Sequence, residues 1–98
     1  MILELAFISV APGQEAAFEA AVAAARPLFA RAKGCRGMAL RRSIEVPTDF
    51  HLMVEWDTLD NHLVDFRESL DFQAWRALAG PFFASPPTVI HTSAVAFP

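Results

Sequence analysis

Ninety-eight residues allow one domain and exclude two, because a chain this short buries only roughly 60 to 68% of its extended surface in a single core. Hydrophobic residues make up 54% of it and charged residues 19%, at a mean hydropathy of +0.33, which is more apolar side chain than a small monomer hides and predicts a buried partner surface. The net charge of −3 and pI near 5.5 argue against a nucleic-acid or anionic-membrane surface, since either would need a basic excess to recruit phosphates.

Leu3 to Ala11 is rich in apolar, strand-favouring residues and stops at Pro12-Gly13, so it is expected as the first strand. Glu4 interrupts its apolar run and no basic n-region precedes it, so the segment does not read as a secretion signal. No apolar run approaches the roughly 18 residues of a membrane span. From Gln14 to Lys33 the period changes: Phe18, Val22, Ala25 and Phe29 lie three or four apart, the stripe of an amphipathic helix. Pro27 predicts a kink or a restart near Arg26, and Gly34 a C-cap.

Arg36 to Val46 is expected as a second strand, turning at Pro47-Thr48-Asp49 into a third over Phe50 to Trp56. That third strand alternates, Phe50, Leu52, Val54 and Trp56 on one face and His51, Met53 and Glu55 on the other. Thr58 can cap a short helix with the stripe Leu59, Leu63 and Phe66, and Ser69 another carrying Phe72, Trp75 and Leu78. After Gly80-Pro81 and Ser85-Pro86-Pro87, Thr88 to Phe97 supplies a last strand. The whole chain, 1–98, is one α+β domain of ferredoxin-like βαββαβ order, a four-stranded antiparallel sheet with helices on one face. The other face needs cover, and a second copy would supply it.

Among chemistry-bearing residues, His62 sits at the edge of its helix stripe and can face a cavity as a base, or stand partly exposed without a role. His91 alternates with Val89 on the last strand and fits core or pocket equally, while His51 shares the parity of Met53 and Glu55 and reads as a sheet or interface residue. Arg76, one turn beyond Phe72 and beside Trp75, can present a permanent cation to a phenolate-like ligand, or pair on the surface with Asp65, Glu68 or Asp71. Trp56, Phe66, Phe72, Trp75, Phe82 and Phe83 cluster in the second half and can line a pocket for a flat apolar ligand, or simply pack the core. No metal site is expected, because H-x-H, H-E-x-x-H and paired-cysteine spacings are missing. Cys35 alone cannot form an intramolecular disulfide; it fits a cytoplasmic protein and is expected to be inert.

The motifs PGQEAAFE after the first strand, GCRG before the second, and VEWDTLDNH leading to FRESLDFQAWR resemble the antibiotic biosynthesis monooxygenase family over nearly the whole chain. The resemblance implies a homodimer in which two ferredoxin-like sheets face each other as a dimeric α/β barrel, each subunit keeping a pocket between helices and sheet. In the haem-degrading branch an asparagine, a tryptophan and an iron-ligating histidine stand where this chain has Ala6, Phe66 and Arg76, so the ligand is missing and no cofactor is expected. The polyketide quinol branch is nearer: its tryptophan ending the third strand matches Trp56 and its last-helix arginine matches Arg76. A pocket tyrosine of that branch is His62 here, and its strand asparagine is Leu52. What the resemblance implies is a cofactor-independent monooxygenase acting on a small quinol- or anthrone-like aromatic. His62 and Arg76 are then catalytic, with Trp56, Phe66, Phe72 and His91 around the substrate. A non-catalytic binding or stress-response protein and a cofactor-free isomerase or cyclase remain as alternatives on the same scaffold.

Overall fold

The period-two alternation of Phe50, Leu52, Val54 and Trp56 makes one face of a strand wholly apolar, and in the computed structural model, which describes residues 1–98, all four side chains are buried. Strands β1 (Ile2–Ser9), β2 (Cys35–Arg42), β3 (Asp49–Trp56) and β4 (Thr88–Ser93) form one antiparallel sheet in the order β2-β3-β1-β4. Helix α1 (Glu15–Ala30) joins β1 to β2, and a π-helical stretch (Asn61–Phe66) followed by α2 (Leu70–Ala79) joins β3 to β4. This is the α+β ferredoxin-like fold that the order of elements predicts. No helix is long and apolar enough to cross a membrane.

Helix α1 buries Phe18, Ala21, Val22, Ala25 and Phe29, the expected stripe plus one alanine, against the even positions of β1 and β3. Phe18 meets Phe50 at 4.9 Å between ring centroids and Phe29 meets Phe66 at the same separation. Each such ring contributes about 1.5–3 kcal/mol by leaving water. The helix does not restart at Arg26. It runs through Pro27 to Ala30, where Arg31 N–H still reaches the Pro27 carbonyl at 3.2 Å. Gly34 is not its cap: the helix has closed at Arg31, and Gly34 turns the chain three residues later with φ +78°.

Other boundaries move for local reasons. β2 ends at Arg42 and not Val46, because Ser43 N–H bonds the Asp49 carbonyl and Val46 N–H bonds Ser43 Oγ, closing a longer turn. β4 ends at Ser93. The stripe Leu59, Leu63 and Phe66 does not form as expected: Asn61, His62 and Phe66 are the buried residues and Leu59 is exposed. In α2 the inward residues are Trp75 and Ala79, and Leu78 points out.

The second sheet face carries the odd positions of β1 and their partners. Leu5 pairs with Met53 on one side and Ile90 on the other, and Phe7 pairs with His51 and Thr88. Phe7 and Ile90 are exposed, and no element of the chain covers this face.

Candidate functional site

Even positions of β1 face the helices, and Glu4 is one of them. Its carboxyl is therefore 5% exposed, beside Trp56, which is wholly buried. A carboxylate left alone there would cost several kcal/mol, so its partners matter. Trp56 Nε1–H donates to Glu4 Oε1 at 3.0 Å, and His62 Nε2 lies 3.3 Å from the same oxygen. The other nitrogen of His62, Nδ1, is 2.7 Å from His91 Nε2. An ionised Glu4 favours the proton on His62 Nε2, leaving Nδ1 to accept from His91 Nε2–H. The register explains why His91 arrives here: on β4 it is the direct cross-strand partner of Glu4. The His62 and Trp56 rings stack at 5.3 Å and 15°.

His62 is carried inward by the turn after β3. Thr58 Oγ1 accepts from Asn61 N–H at 3.2 Å while Asn61 Oδ1 accepts from Thr58 N–H at 3.1 Å, a reciprocal cap. Asn61 Nδ2 also donates to Asp65. Gly34 leaves the space that the Asn61 side chain fills; a Cβ at Gly34 would collide with it. The following backbone widens to π geometry, with Arg67 N–H donating five residues back to the His62 carbonyl at 3.1 Å. Ser69 Oγ accepts from Phe72 N–H and caps α2, which sets the positions of Phe72, Trp75 and Arg76. Asp71 clamps α2 to α1 through two bonds of 2.7 Å from Arg31.

Between these parts lies an open cavity of about 740 Å³, within the range of small-molecule sites. Glu4 and His62 stand in its wall with Phe66 and Phe72, and Arg67 and Arg76 supply cations there. The Arg76 guanidinium sits 6.0 Å over the Phe72 ring. Glu4 Oε1 is occupied by Trp56 and His62; Oε2 has no protein partner and is not sealed from the cavity. Burial holds the Glu4 carboxyl above its usual range, against the pull of the Trp56 hydrogen bond and the Arg67 charge. Burial likewise lowers His62 to about 4, with His91 and Arg67 adding to the shift, so near neutral pH its imidazole is uncharged. His91 is lowered for the same reasons, burial first and Arg67 second.

Of the six residues expected at the site, His62, Phe66, Phe72 and Arg76 line the cavity. Trp56 and His91 stand outside that lining, each hydrogen-bonded to a residue within it, Trp56 to Glu4 and His91 to His62. The surface-pair alternative for Arg76 does not form, since Asp71 is taken by Arg31. Sequence reasoning missed Glu4 and Arg67. The signal for Glu4 was present, an acid at a core-facing parity of an apolar strand. Cys35 lies in a separate hollow of about 540 Å³ beside Arg26 and Arg36, and burial pushes its thiol up. No group of three or more His, Cys, Asp or Glu side chains is placed to hold a metal ion.

Residues 1–78 match the antibiotic biosynthesis monooxygenase family. The chain belongs to that family. A protein of Bordetella bronchiseptica whose crystal structure carries the same family name is 60% identical, with 97% of each chain covered and a TM-score of 0.95. YczJ of Bacillus subtilis, an uncharacterised protein, is 36% identical over 91 residues, 93% of this chain and 96% of that protein. SnoaB of Streptomyces nogalater, a cofactor-independent oxygenase solved in a mutant form, shares the fold at 17% identity and TM-score 0.83, over 98% and 94% of the two chains.

Proposed function

We propose that the protein is a cofactor-independent monooxygenase that oxidises a small electron-rich aromatic, quinol- or anthrone-like, with molecular oxygen. One observation carries the reading: a buried carboxyl–imidazole pair and two arginines share one aromatic-walled cavity that remains open. Family membership and the oxygenase activity of SnoaB support it.

Triplet oxygen reacts slowly with closed-shell molecules, but an enolate or phenolate can pass it one electron. The protein's part is to remove a proton, hold the anion and keep water away. His62 belongs to the proton-handling pair with Glu4, Arg76 and Arg67 stabilise the anion, and Phe66 and Phe72 bind the rings. Trp56 and His91 support the pair from behind. For a methylene carbon the steps balance as follows. One proton leaves carbon, the carbanion gives an electron to oxygen, and the radical pair joins as a carbon–oxygen bond. The peroxide takes a proton; loss of the second carbon hydrogen then breaks the O–O bond, leaving a ketone and water.

The assembly we propose is a homodimer closed over the open sheet face as a dimeric α/β barrel, which would cover Leu5, Phe7, Met53 and Ile90 and account for the hydrophobic surplus. The single half-buried Cys35 suits a reducing cytoplasmic setting. Oxygen uptake across a panel of hydroquinones and anthrones tests the function. Consumption in step with product supports it. Turnover without oxygen would favour an isomerase or cyclase, and saturable binding without turnover a binding protein.

A further inference from the structure

The oxygenase reading leaves open which atom takes the proton, and geometry narrows the choice. Both nitrogens of His62 are engaged inside the protein, Nε2 against Glu4 and Nδ1 against His91, so neither is free to meet a ligand. Oε2 of Glu4 is the one proton-accepting atom of the pair without a protein partner, and it keeps some exposure in a residue that lines the cavity. We propose that Glu4 is the catalytic base, and that Trp56 and His62, itself held by His91, position it through Oε1.

The proton's path balances. Glu4 Oε2 takes a proton from carbon or a phenol oxygen and returns it to the peroxide formed at the substrate, while His62 Nε2–H keeps its contact with Oε1 at 3.3 Å and His62 Nδ1 goes on accepting from His91 Nε2–H at 2.7 Å. Two protons leave a methylene carbon in turn, and both end in the water formed with one oxygen atom. A single carboxylate serves for both: it gives the first proton to the peroxide, takes the second from carbon, and gives that one to the hydroxide released as the O–O bond breaks. The carboxyl raised by burial is also a stronger proton acceptor than an ordinary carboxylate, and the imidazole lowered to about 4 is a weaker one than ordinary histidine. The groups around Glu4 are Trp56 from β3, His62 and Arg67 from the turn after it, His91 from β4, Arg76 from α2 and Cys35 from β2.

The inference rests on the oxygenase reading only for its substrate, and the test separates the two. Anthrone is incubated with the protein in deuterium oxide without oxygen, and exchange of its methylene hydrogens is followed by NMR; oxygen uptake is measured in parallel. Wild type should accelerate the exchange, and Glu4→Gln, which keeps the acceptor for Trp56, should lose roughly 10²- to 10⁴-fold in both measurements. Quenching of Trp75 fluorescence by anthraquinone, which has no methylene to lose, should persist in the variant and show that the cavity is intact. Trp56→Phe should move the acid limb of the exchange rate up by about one pH unit, because the carboxylate loses a hydrogen-bond donor; a purely structural tryptophan would lower the rate and leave the limb in place. Exchange without oxygen uptake would refute the oxygenase reading and keep Glu4 as base. Full exchange in Glu4→Gln, or no acceleration by wild type, would overturn the assignment of Glu4.

Discussion

Replacing Gly34 by alanine should be among the most damaging single-methyl additions in the molecule. The residue sits at φ +78°, where a Cβ costs roughly 1–2 kcal/mol. That Cβ would also collide with the Asn61 side chain, which is buried and hydrogen-bonded on both sides, to Thr58 and to Asp65, and overpacking of this kind adds roughly 1–3 kcal/mol. The sum is about 2–5 kcal/mol, or at least about 10 °C in Tm for a domain of this size. Gly13 provides the control, since it has φ +86° with nothing within 4 Å of its would-be Cβ, and Gly13→Ala should show the backbone cost alone. Urea and thermal unfolding at one protein concentration give the comparison. The double variant Gly34→Ala/Asn61→Ala should recover much of the collision term and deviate from additivity by roughly 1–3 kcal/mol. If Gly34→Ala costs no more than Gly13→Ala, then Asn61 does not fill the space at Gly34, and the anchoring of the turn that carries His62 has been misunderstood.

Stability should fall as pH drops from about 6.5 to about 4, because the unfolded chain protonates His62 there while the folded one resists it. Glu4 has the opposite sign, its raised folded pKa making the fold gain on acidification, so Glu4→Gln should steepen the acid loss seen in urea midpoints and His62→Phe should flatten it. Leu5→Arg, on the open sheet face, should convert the proposed dimer to a monomer in sedimentation velocity; a variant that stays dimeric would place the interface elsewhere. Asp71→Asn removes an exposed bidentate pair with Arg31 and should leave the urea midpoint almost unchanged, because solvent screens the pair.

Much of the fold was legible because its periods were clean. The alternation through β3 and the stripe of α1 named the buried residues almost one for one. The region after Trp56 is less legible, because its turn closes a bond five residues apart, outside the 3.6-residue period of an α-helix. The wider turn carries polar Asn61 and His62 inward and leaves Leu59 outside, an inversion no hydrophobic count detects. In α2 the inward positions are Trp75 and Ala79, four apart, which turns Leu78 toward solvent. At the site, His62 and Arg76 could be picked by residue type and spacing. Glu4 lies 58 positions from His62, so its meeting with Trp56 and His91 depends on strand register, which sets Glu4 beside Val54 and opposite His91.

The most direct test of the central claim is a single turnover of anthrone under oxygen-18 gas with the wild-type protein, read by mass spectrometry of the product. A monooxygenase without cofactor should place one labelled oxygen atom in the new ketone, release the other as labelled water, and consume one oxygen molecule per product with no added reductant. Product formed at the uncatalysed rate, or a ketone whose new oxygen comes from solvent, would contradict the account.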